Sequence, residues 1–452
     1  MTSPHHYLAR SSMPVSARAL FDWHARPGAF ARLQPPYQNV ELVERTGGLE
    51  VGARTVLRMR VGPVPQTWVA VHTACEDGVM FADTQESGPF KRFDQVHRMV
   101  PDGEARSFLE DDIRYQLPVG ALGDLFGGGF AQHTLEALFA YRHGLLAADL
   151  ERHRVYADAP RLHVLVTGAS GLIGSALVPF LTTGGHRVTT RAHGELGAPF
   201  PEDVDAVIHL AGASISTRWT AAAKEEIRRS REEGTRALVT AMLAAKVKPR
   251  VLLSGSAVGY YGSRGDETLT EASAPGDDFL AGVCKAWEAA TRPAAEAGIR
   301  VVTLRTGIVL SPRGGALGQM LLPARSGVAG RIGPGTQHLP WISIEDTVGA
   351  LHFALQTESL EGPVNLAAPG VVTNATFMKT LGHVLHRPSL LPLPAFAVRA
   401  AFGEMGGALL LGSQKVKPTA LERAGFPFLH PTLEGALRFV LGKNVLANAV
   451  QQ

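Results

Sequence analysis

Three glycines spaced three residues apart, Gly168, Gly171 and Gly174, stand between an apolar run and an apolar helical pattern in LHVLVTGASGLIGSALVPFL. This spacing suits chemistry that needs bare backbone. Gly168 permits a tight turn, Gly171 lets backbone N–H groups approach a pyrophosphate, and Gly174 lets the following helix pack closely on the strand. The N-terminus of that helix then faces the negative charge. The turn residues Gly168, Ala169, Ser170, Gly171, Leu172, Ile173 and Gly174 are therefore the expected wall of a dinucleotide site. The strand–turn–helix setting, with a buried strand predicted over 162–166, makes the motif specific.

The elements that must position this turn are legible downstream. DAVIHLAGA (205–213) reads as a buried strand ending in a small-residue loop, whose Leu210, Ala211 and Gly212 are cofactor-contact candidates. SREEGTRAL (230–238) lies in a long helix. VLLSGSAVGYYG (251–262) reads as another buried strand ending in hydroxyl residues, with Ser254 a further contact candidate. The alternation of apolar strand and helix predicts an α/β fold. The end of the second strand decides between dinucleotides. His186-Arg-Val-Thr-Thr190-Arg191 carries no acid for the ribose hydroxyls before Glu195, and Arg191 suits a 2′-phosphate. NADP(H) is thus expected over NAD(H), with an ordinary solvated charge as the alternative for Arg191. Only thirteen residues separate Arg191 from Asp205, too few for a full nucleotide-binding half, so an edge strand is expected to be lost or shortened.

Together these segments resemble the short-chain dehydrogenase/reductase superfamily in its extended, epimerase/dehydratase-like branch, over about residues 161–448. The resemblance implies a Ser that polarises the substrate oxygen, a Tyr that exchanges a proton with it, and a Lys that binds the ribose and lowers the Tyr pKa. Ser256 matches the serine and Lys285, in DDFLAGVCKAWE, matches the lysine. Four residues before Lys285, where the tyrosine should stand, is Ala281. Alanine has no proton to give. Tyr260 and Tyr261 are the nearest replacements, with packed loop anchors as their other reading. The segments DDFLAGVCKAWE, PWISIEDTVGAL and GEMGGALLLGSQKVKPTALERAGFPF resemble an atypical subgroup named as sugar-nucleotide epimerases, with a small C-terminal domain of unknown function. In PWISIEDTVGAL, Trp341–Asp346 is expected to close the substrate side, Asp346 capping the next helix in its plainer reading.

The first 118 residues have a different period. Ala53, Thr55, Leu57, Met59 and Val61 alternate on one face, as do Trp68, Ala70, His72 and Ala74, and Phe93, Gln95, His97 and Met99. Gly47-Gly48, Gly62-Pro63, Asp77-Gly78 and Pro101-Asp102-Gly103 separate the runs, which predicts an antiparallel meander. Ser16 should cap a short helix carrying Leu20 and Phe21, and Leu135, Leu138, Phe139, Leu145, Leu146 and Leu150 have helical spacing. This order, with FDWHARPGAFARLQPP and SGPFKRFDQVHR, resembles the helix-grip, START-like superfamily of polyketide cyclases and lipid-transfer proteins. The resemblance implies an apolar ligand between sheet and long helix. A filled core with a docking role is the alternative.

The expected architecture is an α+β helix-grip (START-like) domain over 1–152 and a linker over 153–160. A Rossmann-type doubly wound parallel sheet follows over 161–390, then a small C-terminal substrate lobe over 391–448. With 44 Lys and Arg against 41 Asp and Glu, the formal charge of +3 supplies no basic field for nucleic acid. Two distant cysteines exclude a disulfide framework, and no metal-ligand spacing is present. The N-terminus lacks an apolar core of signal-peptide length and no run has membrane-span length, so a cytoplasmic protein is expected. The expected function is NADP(H)-dependent oxidoreductase or epimerase chemistry on a small-molecule substrate. The alternative is a non-catalytic dinucleotide sensor, for which Ala281 is the main support.

Overall fold

The computed structural model describes residues 4–443 apart from 62, 63 and 119; the ends of the expected domains at 1–3 and 444–448 lie outside the described residues. The described chain forms two compact units, one of residues 4–158 with 182–185 and 441–443, the other of residues 159–181 and 186–440.

In the first unit, strand β1 (His5–Met13) precedes helices α1 (Ala17–Ala25) and α2 (Ala29–Arg32). Strands β2 (Glu41–Thr46), β3 (Arg54–Val61), β4 (Val64–Glu76), β5 (Met80–Ser87), β6 (Arg92–Pro101) and β7 (Ser107–Gln116) follow, then the 35-residue helix α3 (Gly120–Arg154). The strands make one antiparallel sheet, β1-β7-β6-β5-β4-β3-β2. Ser16 caps α1 as expected, its hydroxyl accepting from the Ala19 N–H at 3.3 Å. The α3 residues Leu135 and Phe139 join Phe93 and Ile113 in one apolar cluster. About two to three turns further along the helix, Leu146 and Leu150 join Phe21, Phe81 and Leu109 in another. Sheet and long helix enclose a cavity of about 880 Å³ between these clusters.

In the second unit, strand β8 (His163–Thr167) runs into helix α4 (Gly174–Thr183), followed by strands β9 (Arg187–Arg191) and β10 (Ala206–His209). Helix α5 (Ala221–Leu243), strand β11 (Val251–Ala257) and helix α6 (Phe279–Ala289) come next. The sheet is completed by strands Arg300–Thr306 and Gly362–Leu366. Its six strands are all parallel, in the order Gly362–Leu366, Arg300–Thr306, β11, β10, β8, β9. Val164, Leu165, Val166, Val207 and Ile208 are buried, as a parallel sheet covered on both faces requires. Strand β9 is the edge. The chain leaves it through a single 3₁₀ turn at His193–Glu195 and returns to the far side of β8 as β10. The strand order therefore reverses between β8 and β10, the switch point where open α/β sheets bind ligands.

Beyond the sheet, the helix Ala395–Leu410 breaks at Gly403, whose φ of 59° and ψ of −140° are not helical. Residues Lys415–Val416 pair with Thr268–Leu269, and Gln414 Nε2 donates to the carbonyls of Val258 and Gly262 at 3.0 and 3.1 Å. This ties the C-terminal segment to the loop after β11. Among the described residues no helix is long and apolar enough to cross a membrane.

Candidate functional site

The glycine turn leaves β8 at the switch point, and steric room explains each glycine. Gly168 has φ +71°, and a Cβ there would fall 2.8 Å from the Leu210 backbone. At Gly174 a Cβ would fall 2.3 Å from the Gly168 carbonyl oxygen, so any side chain would push α4 off the strand. Gly171 is different: it is exposed, and a Cβ would meet only the Gly168 oxygen at 3.2 Å. Its own N–H donates to that oxygen at 3.0 Å, closing the turn. Ser170 is also exposed, and Ala169, Leu172 and Ile173 are half-buried.

The floor of the turn is locked by a buried imidazole. His209 exchanges hydrogen bonds with the Thr167 hydroxyl through Nδ1 at 2.6 Å and the Thr235 hydroxyl through Nε2 at 3.0 Å, joining β8, β10 and α5. Burial pushes its pKa down to about 4, so the ring is neutral and serves as donor on one side and acceptor on the other. Leu210 is half-buried and Gly212 exposed beside the turn, whereas Ala211 is buried. Arg231 sets this loop, donating to the Ala213 carbonyl at 3.0 Å while lying over the Trp287 ring.

Arg191 departs from the alternative of a solvated charge. It is buried, not a solvated charge, and its guanidinium donates to the Ala198 and Pro199 carbonyls at 3.2 and 2.8 Å. It therefore braces the 196–199 loop at the end of β9. Ser254 also departs from expectation. It has no exposed surface.

The structure brings Ser256, Tyr260 and Tyr261 together around two residues that the sequence motifs did not reveal, Glu288 and Arg305. The Ser256 hydroxyl donates to Glu288 Oε1 at 2.7 Å. Arg305 grips the same carboxylate in a fork, Nε and Nη2 each donating at 2.9 Å. Arg305 Nη1 donates to the Tyr261 hydroxyl and to the Glu271 carbonyl, both at 3.1 Å, and Tyr261 donates to Asn365 Oδ1 at 2.7 Å. The guanidinium lies 3.5 Å from the centre of the Tyr260 ring. Tyr261 is fully buried, and burial raises its pKa against the lowering effect of Arg305; it is a loop anchor, not an exposed acid. Tyr260 is half-buried. Lys285 lies apart from this network, exposed on α6. Ala281 is fully buried, its N–H held by the Asp278 cap at 2.8 Å, so no acid/base group replaces the tyrosine on that face. Burial pushes the Cys284 thiol up to about 12. Asp346 serves the architecture, since its carboxylate accepts from the Leu429 and His430 N–H groups at 2.7 and 2.9 Å.

The first unit holds a second polar group that the sequence motifs did not reveal. Asp111 accepts from His143 Nε2 at 2.5 Å, from Gln95 Nε2 at 2.9 Å, and from His97 Nδ1. His97 Nε2 faces Asp83 Oδ2 at 3.4 Å. Burial opposes the His97 charge, but the two carboxylates outweigh it and push the imidazole up to about 9. Burial likewise opposes the Asp111 charge, and the two imidazoles hold that carboxyl well below its usual range. All five residues line the cavity. Gln95 and His97 were legible as polar residues on the apolar face of a strand, a signal that alternation alone absorbs.

Comparison with known proteins agrees with this architecture. Residues 164–367 match the NAD dependent epimerase/dehydratase family, residues 393–440 a domain of unknown function (DUF1731), and residues 13–139 the polyketide cyclase/dehydrase and lipid transport family. An epimerase family protein of Mycobacterium bovis is 45% identical over 292 residues, 61% of this chain and 96% of that protein. The crystal structure described as the nucleoside-diphosphate sugar epimerase from Corynebacterium glutamicum superposes with a TM-score of 0.80 at 32% identity. That match covers 98% of this chain and 91% of that one, so it includes both units. The human epimerase family protein SDR39U1, solved with NADPH, is 37% identical with a TM-score of 0.59, over 62% of this chain and 99% of that one. A parallel sheet with a glycine turn at its switch point and these relatives lead to one conclusion: the chain belongs to the NAD dependent epimerase/dehydratase family, as an atypical short-chain dehydrogenase/reductase with an N-terminal START-like domain and a C-terminal DUF1731 domain.

Proposed function

We propose that the chain is an NADP(H)-binding oxidoreductase or epimerase acting on a small substrate, and that the cavity of its START-like domain holds an apolar ligand. The observation that carries the first part is the glycine turn. Side chains are excluded at Gly168 and Gly174 by backbone, while Gly171 is exposed and a Cβ there would press on one backbone atom, the Gly168 oxygen at 3.2 Å. That combination fits a pyrophosphate against the 169–173 backbone at the N-terminus of α4. The human relative solved with NADPH supports NADP(H) over NAD(H).

When bound, the nicotinamide supplies hydride transfer. The chain's own residues bind and orient. Lys285, exposed on α6, is the cation available to the ribose, and Arg191 holds the loop after β9. The proton role left open by Ala281 falls to Tyr260 or to the Ser256 hydroxyl backed by the Glu288 carboxylate. The test supplies NADPH deuterated at the transferable position with a panel of aldehydes and ketones. Deuterium should appear in an alcohol product, and Ser256→Ala should lower the rate by about a hundredfold, within the range for a lost proton-transfer group.

A second reading, dinucleotide binding without turnover, is favoured by the burial of Ala281 and by the capture of the Ser256 hydroxyl. It predicts NADPH binding with no label transfer to any carbonyl in the panel. Ala281→Tyr would not separate the readings cleanly, because a ring at a fully buried position disrupts packing.

A further inference from the structure

The cavity of the first unit is apolar at both ends and polar across its middle. On one side of the polar band lie Trp68, Phe93 and Leu135, on the other Phe81, Leu109 and Leu146. At about 880 Å³ it falls within the roughly 300–1,000 Å³ of small-molecule sites. Its charges are unevenly matched. Asp111 and Asp83 both face imidazoles, Asp111 at hydrogen-bond distance and Asp83 at 3.4 Å. Three arginines also line the cavity, Arg45, Arg60 and Arg142, and among the described residues none has a carboxylate within salt-bridge distance. Arg142 is half-buried in the middle of α3, next to His143 of the polar band. Its Nε donates to the Leu33 carbonyl at 3.3 Å, and its two terminal nitrogens make no hydrogen bond to any described residue.

A guanidinium cannot shed its proton inside a protein, so a partly desolvated one whose terminal nitrogens make no hydrogen bond is a cost that Asp111 and Asp83 offset only from a distance and that an anion in contact would remove. Burial lowers the pKa of Arg142, which records that cost. The planar fork matches a carboxylate in bidentate fashion. Asp83 and Asp111 lie in the same band, so a head group bringing more than one negative charge is disfavoured by like-charge repulsion. Resting on the reading that this cavity holds a ligand, we infer that the ligand is an amphipathic carboxylic acid, its head held by Arg142 and its apolar body against Leu57, Met59, Trp68 and Phe93. The two mouth arginines, Arg45 and Arg60, both exposed, draw the anion in.

The test titrates the full chain with dansyl-aminoundecanoic acid and with its methyl ester, following dansyl fluorescence. The acid should bind at least about tenfold more tightly than the ester, the scale of one charge-assisted pair. Arg142→Met should remove that difference by weakening the acid alone, and Arg142→Lys should keep part of it. Equal affinity of the wild-type chain for acid and ester overturns the inference while leaving a ligand-binding cavity. Failure of both probes to bind overturns the cavity reading and the inference with it. The acid-to-ester ratio of the wild-type chain needs no variant, so a misfolded Arg142→Met leaves the test decisive.

Discussion

Two arginines removed from bulk water, one in each unit, have opposite surroundings. Arg305 uses four N–H donors on Glu288, Tyr261 and the Glu271 carbonyl, and its carboxylate partner is shared with Ser256. Arg142 uses one, on a distant carbonyl, and turns the rest toward a cavity. The same side chain serves architecture where its fork is filled from within the chain, and recognition where the fork is left open. A closed network fixes the end of β11 and its tyrosines. An open one waits for a ligand.

That contrast can be broken by mutation. Glu288→Ala should be the most damaging change, leaving Arg305 buried without its partner and costing about 3–5 kcal/mol in urea unfolding. Arg142→Met should cost under about 1 kcal/mol, because no internal carboxylate loses its partner. Equal costs would erase the distinction between closed and open sites. Between these two in size is Gly174→Ala, whose Cβ would overlap the Gly168 oxygen; it should cost about 1–3 kcal/mol in urea unfolding and weaken NADPH binding in a calorimetric titration.

The pH dependence of unfolding separates the units further. His24 in the first unit and His209 in the second are each pushed down to about 4 by burial, below the ordinary histidine value of about 6.5. A depressed folded pKa means the unfolded chain binds more protons, so both units should weaken as pH falls from about 6.5 toward 4. His97 is raised to about 9, so its contribution is complete below about 6.5 and disappears as pH rises through 9. Between pH 7 and 9, hydrogen exchange should therefore report loosening around β6 and β7 and none around β10 from these groups. The smallest effect belongs to Lys285→Ala, which should leave stability within about 0.5 kcal/mol, since the side chain is exposed. Its NADPH affinity should nonetheless fall several-fold.

The sequence displayed the parts of this molecule that local pattern controls. The glycine spacing located the turn because bare backbone leaves a mark at single positions. The thirteen residues between Arg191 and Asp205 announced the missing edge strand by simple reach. Strand alternation and helical spacing gave the antiparallel meander and the long helix after it, down to the Ser16 cap. Partnerships across long separations were not legible. Glu288 and Arg305 meet only because α6 packs on β11 and the strand Arg300–Thr306 pairs beside β11 in the sheet, and nothing near either residue predicts the fork. His97 and Asp111 are opposite one another on β6 and β7, but which strands pair, and at what register, is decided by the fold as a whole. The carbonyls that engage Arg191 were hidden for the same reason, since they come from a loop whose path no local pattern reveals.

The central claim is that a dinucleotide lies on the turn between β8 and α4. Gly171→Asp tests it directly, because this position is exposed and its Cβ would meet a single backbone atom, the Gly168 oxygen at 3.2 Å, while a carboxylate there would face the pyrophosphate. Calorimetric titration should show the full chain binding NADPH more tightly than NADH, and Gly171→Asp losing about a hundredfold in NADPH affinity, or roughly 2.7 kcal/mol, with its unliganded fold intact. A wild-type chain that binds neither dinucleotide, or a Gly171→Asp chain that binds NADPH as well as the wild type, would contradict it.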